Sequence, residues 1–151
     1  MRGLVAELTK ACLLGWHACC ARPRVRSGPC CVQHILVVDD DPAIRDVVAD
    51  ILSMSDYVVE TAANGAEALE QIRTRQPAAV LLDLMMPIMD GWEFLQHCRR
   101  EPPCAPVPVA IMSAARDASA VANELGAQAF LAKPFELDAV LEVVGRLAGS
   151  R

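Results

Sequence analysis

HILVVDDDPAIRDVV, residues 34–48, runs four apolar residues straight into three aspartates. Asp41 has an ordinary reason to be there. It precedes Pro42 and a helical pattern, so it suits an N-cap with proline at the first helical position. Asp39 and Asp40 call for more. Two adjacent carboxylates at the mouth of a buried strand repel each other and lose solvation, so they need a cation or a donor cluster beside them.

Working outward, strand-like and helix-like stretches alternate from His34 onward, with short loops between them. The first strand is HILVVD, and AIRDVVADILSM then places Ile44, Val48, Ile51 and Leu52 at helical spacing. YVVETA reads as a second strand closed by Asn64-Gly65, and AEALEQIRTR as a second helix ending before Pro77. AAVLLDL hardly alternates, as expected of a strand covered on both faces of a parallel sheet. GWEFLQHCRR is a third helix, and EPPCAPVP a proline-rich connector that cannot be regular. VAIMSA, an alanine-rich helix over about 116–125, AFLAK and ELDAVLEVVGRL complete five βα units in about 117 residues. Such alternation predicts an α/β fold, a parallel sheet with five helices on its two faces. In the flavodoxin-like order 2-1-3-4-5, strands one and three are neighbours and ligands bind beyond their carboxyl ends. Asp39, Asp40 and Asp83 then open into one crevice, with Ser113 and Lys133 at strand ends on the same edge. Three carboxylates, a hydroxyl and an ammonium suit a hard divalent cation and a phosphoryl group.

The charge distribution narrows the possible functions. Of the 151 residues, the first 34 carry five Lys/Arg and one acid, whereas the rest carry nine Lys/Arg and eighteen acids. A body of net charge −9 is poorly suited to nucleic-acid phosphates. Five of the seven cysteines (Cys12, Cys19, Cys20, Cys30 and Cys31) precede this body, and only Cys98 and Cys104 lie within it. The doublets lack zinc-ligand spacing and a fitting histidine. The apolar run ACLLGWHACCA is too short to span a membrane and has no secretory cleavage pattern. Residues 1–33 are therefore expected to be a disordered or non-native extension, and 34–151 the folded domain.

VVDDD, LLDLMMPIMDG, IMSA and KPF, in that order and spacing, resemble the receiver domain of two-component response regulators. The likeness covers about residues 34–148. It implies that Asp83 is the phosphoacceptor and that Asp39, Asp40, Asp83 and the Met85 main-chain carbonyl hold Mg²⁺. It further implies that Ser113 is the switch hydroxyl, Lys133 the catalytic lysine, Phe130 the switch aromatic, and Lys133-Pro134 a cis bond. The implied function is a phosphorylation switch with slow self-catalysed transfer and hydrolysis, not a turnover enzyme. A sensor histidine kinase or histidine phosphotransfer protein would dock on the first helix, at Ile44 and Val47, and on Pro134 and Phe135 after the fifth strand. Ile44 and Val47 cannot both join Val48, Ile51 and Leu52 in one buried stripe, so at least one should be exposed.

Two rival readings remain. ILVVDDD also fits a haloacid-dehalogenase-type phosphatase with Asp39 as nucleophile and Asp41 as acid/base, but too few residues follow Lys133 to supply that family's last acidic motif. A non-phosphorylated pseudo-receiver would normally lack one member of the set. The dimer-face pattern GADDY of DNA-binding relatives reads GAQAF here, at Gly126–Phe130. The expectation is a stand-alone, monomeric, cytoplasmic receiver that signals through a partner protein, without direct nucleic-acid or membrane contact.

Overall fold

The strand at His34–Val38 (β1) is wholly buried, as four consecutive β-favouring apolar residues demand. In the computed structural model, residues 32–114, 124 and 126–149 are described. They belong to one unit, Val32–Arg151. After β1 come α1 (Pro42–Met54), β2 (Val58–Ala62), α2 (Gly65–Thr74), β3 (Ala79–Asp83) and α3 (Gly91–Arg100). Then follow β4 (Val109–Ser113), β5 (Ala129–Ala132) and α4 (Leu137–Ala148). The expected helix over 116–125 and the extension over 1–31 lie outside the described residues.

All five strands are parallel, in the order β2-β1-β3-β4-β5. This is the expected flavodoxin-like sheet. Because side chains alternate along a strand, each strand feeds two cores. Leu36, Val38, Val80, Leu82 and Ile111 pack with Leu69 and Ile72 of α2 and Phe94 and Leu95 of α3. Ile35, Val37, Leu81, Ala110 and Met112 pack with Val48 and Leu52 of α1 and Val140, Val144 and Leu147 of α4. Helices on both faces leave the carboxyl ends of the strands as the open edge.

The helix starts are set by caps. The Asp41 side chain accepts from the Ala43 N–H at 2.9 Å with Pro42 next to it, as expected. Asn64-Gly65 departs from the sequence reading. Instead of a turn closing β2, Asn64 caps α2 by accepting from the Glu67 N–H at 3.0 Å, and Gly65 is the first helical residue. Asn serves turns and N-caps alike, so composition alone could not separate the two. A Cβ at Gly65 would lie 2.8 Å from Met89 Cγ and 2.9 Å from Phe94 Cβ, which explains the glycine. Among the described residues, no helix is long and apolar enough to cross a membrane.

Candidate functional site

Asp39 continues the β1 ladder by donating its N–H to the Ala62 carbonyl at 3.1 Å, and its side chain is fully buried. One carboxylate oxygen accepts from the Asp41 N–H at 2.9 Å. Its carbonyl accepts from Arg45 Nη1 at 2.5 Å. Asp40 is exposed, so the two adjacent acids are unequal: one is held inside and the other stands at the rim. Asp83 closes β3, buried, with Oδ2 accepting from the Met85 N–H at 2.8 Å. Behind it, α3 approaches so closely that a Cβ on Gly91 would sit 2.5 Å from the Asp83 carbonyl oxygen.

Lys133 follows directly after β5. Its N–H donates to the Ser113 carbonyl at 2.8 Å, and the cis bond to Pro134 turns the chain away. From there Nζ reaches across the sheet edge to Asp39 Oδ2 at 2.6 Å and Asp83 Oδ1 at 2.7 Å. Burial pushes the Asp83 carboxyl upward, and the Lys133 bond only partly offsets it. Burial works to lower the Lys133 ammonium, but its bonds to Asp39 and Asp83 outweigh that and leave it raised. The lysine is held charged between two acids.

Asp39, Asp40 and Asp83 each offer an oxygen, all within 4.8 Å of one another. Three carboxylates and one ammonium leave two negative charges uncompensated. All-oxygen donors of that charge fit a hard divalent cation and would not suit a soft metal.

Ser113 is the last residue of β4 and is buried. Phe130, on β5, is half-buried against the core on the α2/α3 face. On α1, Val47 is half exposed, whereas Ile44 packs partly against the opposite core, so one of the pair is indeed at the surface. Pro134 is exposed, and Phe135 partly covered. Asp41 is exposed, and its Oδ1 caps α1 by accepting from the Ala43 N–H. Gln128 is structural: its Oε1 accepts from the Val109 N–H at 2.7 Å, and its Nε2 donates to the Gly126 carbonyl at 2.9 Å.

Sequence reasoning missed Arg45 and the steric role of Gly91. Arg45 lies one turn into α1 after the aspartates, a spacing that could have suggested contact with their backbone.

The family model described as the response regulator receiver domain matches residues 35–145. The chain is 40% identical over 119 residues to the probable transcriptional regulator ycf27 of Porphyridium aerugineum, covering 76% of this chain and 48% of that protein. It is 39% identical over 107 residues to the response regulator MprA of Mycobacterium ulcerans, covering 71% and 46%. The chain thus spans about half the length of these curated relatives. A putative response regulator from Chloroflexus aurantiacus superposes with TM-score 0.73 at 33% identity, covering 78% of this chain and 98% of that one. The chemotaxis response regulator CheY4 of Vibrio cholerae gives 0.72 at 29%, covering 78% and 99%. With the strand order, the acidic pocket and these likenesses in agreement, the chain belongs to the response regulator receiver family, whose members are signalling modules and not turnover enzymes.

Proposed function

We propose that this chain is a phosphorylation switch in which Asp83 accepts a phosphoryl group from a sensor histidine kinase or a histidine phosphotransfer protein, and a partner protein reads the result. The single observation that carries this reading is the Lys133 ammonium, within hydrogen-bond distance of both Asp39 and Asp83. A carboxylate is a weak nucleophile toward an anionic donor, and such a charge arrangement offsets the repulsion.

In the transfer, an Asp83 oxygen forms the new P–O bond as the donor's P–N bond breaks, and the freed imidazole keeps the electron pair. Lys133 is the cation on hand for the arriving phosphoryl oxygens. Asp39, Asp40, Asp83 and the Met85 carbonyl are the groups that would hold Mg²⁺. When bound, that ion supplies charge neutralisation at the phosphoryl oxygens. Afterwards Asp83 carries new acceptor oxygens, toward which Ser113 moves, and Phe130 turns further into its core.

Several relatives are named as transcriptional regulators. For this chain, signalling through a protein partner as a cytoplasmic monomer is proposed, and net charge −9 after residue 34 weighs against direct contact with nucleic acid. Residues 1–33 form an extension outside the switch in this reading.

The test is incubation with a small acyl-phosphate donor and Mg²⁺. One phosphate should be added, and either a chelator or Asp83→Asn should prevent it. Label retained on Asp83→Asn but lost on Asp39→Asn would instead establish Asp39 as the nucleophile.

A further inference from the structure

Away from the acidic pocket, α3 ends at Arg100 and the chain returns to β4 through residues 101–108. The sequence alone gave Cys98 and Cys104 no role. In the structure they form a disulfide, six residues apart with Cα atoms 4.8 Å from each other, and both are fully buried. The turn between them is local. Cys104 and Ala105 donate their N–H groups to the Glu101 carbonyl at 3.0 and 2.8 Å. Arg99 Nη1 donates to the carbonyls of Ala105 at 3.0 Å and Val107 at 3.3 Å, and Gln76 Nε2 to that of Pro103 at 2.6 Å. None of residues 99–104 belongs to the sheet ladder, and Pro102 and Pro103 are exposed. Both sulfurs are packed in the core on the α2/α3 face, so exchange requires this turn and the last turn of α3 to open together, a local event that leaves the five strands paired. A cross-link between distant elements would become accessible only on global unfolding.

We propose that Cys98 and Cys104 are a reversible thiol–disulfide exchange site that takes low-molecular-weight disulfides of the glutathione class. In oxidation, the Cys104 thiolate on the connector attacks one sulfur of the donor, whose S–S bond breaks to release the first small thiolate. The Cys98 thiolate then attacks the Cys104 sulfur of the mixed disulfide and expels the second. Two electrons pass from the protein to the donor, and the two protons lost by the cysteines go to the departing thiolates. The reverse reaction consumes two reduced small thiols.

The staple lies at the amino end of β4, while the acceptor lies at the carboxyl ends of the strands. It joins the far end of α3, whose near end abuts Asp83, to the connector that leads into the strand finishing at Ser113. Its state sets how firmly that frame is held and leaves the carboxylate cluster untouched. The site stands independently of the phosphotransfer reading.

The experiment equilibrates the full chain with graded ratios of oxidised to reduced glutathione, blocks free thiols, digests with trypsin and maps peptides without reduction. The peptide ending at Arg99 should be linked to the one beginning at Glu101, in a fraction that rises with the ratio and reverses in native buffer. Reduction should lower the Tm by roughly 5–10 °C and speed amide exchange over 98–107. The Cys98→Ala, Cys104→Ala double variant should melt alike with and without reductant. Cys98→Ala alone should retain glutathione on Cys104. A link absent at every ratio, one that yields only after unfolding, or pairing of Cys98 or Cys104 with an upstream cysteine would overturn the proposal. Should the double variant fail to fold, the peptide map and the wild-type melts still decide.

Discussion

Met85 gives its N–H to Asp83, yet three-quarters of its side chain is exposed. Loss of phosphate requires a water in line with the phosphorus, opposite the aspartyl oxygen, and a thioether at the rim cannot orient one. Met85→Asn should therefore speed the decay of phosphorylated protein roughly tenfold, equivalent to about 1.4 kcal/mol of barrier, measured as loss of label after donor removal. Unchanged or slower decay would show that another group holds the water. A second residue-scale effect belongs to His34 at the start of β1. It is 6% exposed, and Glu60 Oε2 lies 3.2 Å from its Nε2 without hydrogen-bond alignment, while Arg75 adds an opposing charge. Burial, offset in part by Glu60, lowers its pKa below 6.5. The unfolded chain then protonates first, so stability is fully present above pH 6.5 and is lost as pH falls from there toward the folded value. The wild-type Tm should drop by several degrees between about pH 7.5 and 5.5, and His34→Leu should flatten that profile. Parallel slopes in the two proteins would assign the loss to other groups.

At the scale of elements, α3 is fixed by contact. A methyl group at Gly91 would meet the Asp83 carbonyl oxygen at 2.5 Å and Leu84 Cα at 2.8 Å, both backbone atoms that cannot step aside. Gly91→Ala should cost about 2–3 kcal/mol, lower the Tm by about 10 °C and impair phosphate acceptance; a melting shift under 2 °C would mean that the helix slides freely. On α1, Val47→Ala should change stability by no more than about 0.5 kcal/mol yet slow transfer from a phosphorylated kinase. Phosphorylation by a small donor should be unaffected, and equal loss with both donors would place Val47 in the fold instead of the docking face. Ile44→Ala should also lose about 1 kcal/mol of stability, since Ile44 packs against the core on that side. The described helices and strands were legible, because apolar period and caps are local properties: Asp41-Pro42 marked the start of α1 correctly. What stayed hidden depends on residues distant in sequence or on backbone proximity. The unequal burial of Asp39 and Asp40, the clearance at Gly91 and the pairing of Cys98 with Cys104 all require the packed structure. Asp39, Asp40, Asp83 and Lys133 do come together at the carboxyl edge, because strand order brings strand ends together.

For the molecule as a whole, the described part of Val32–Arg151 already covers both faces of its sheet with its own helices. A chain beginning at Val32 should therefore keep its Tm within about 2 °C and its phosphorylation rate; a fall of several degrees, or stoichiometric zinc on the full chain, would assign residues 1–31 a structural role. The lysine clasp has a consequence for synthesis. Lys133 is separated from Asp39 by 94 residues and from Asp83 by 50, so every carboxylate emerges from the ribosome long before its counterion. At about 5–20 residues per second, Asp83 is synthesised several seconds before Lys133. In the proposed switch, a nascent or prematurely terminated chain ending before Lys133 carries the aspartates but lacks the cation that would offset the donor's charge. If the proposed roles of Asp83 and Lys133 hold, such fragments should stay unlabelled in a translation extract supplied with phosphodonor, and labelled fragments would show that Lys133 is dispensable for the transfer.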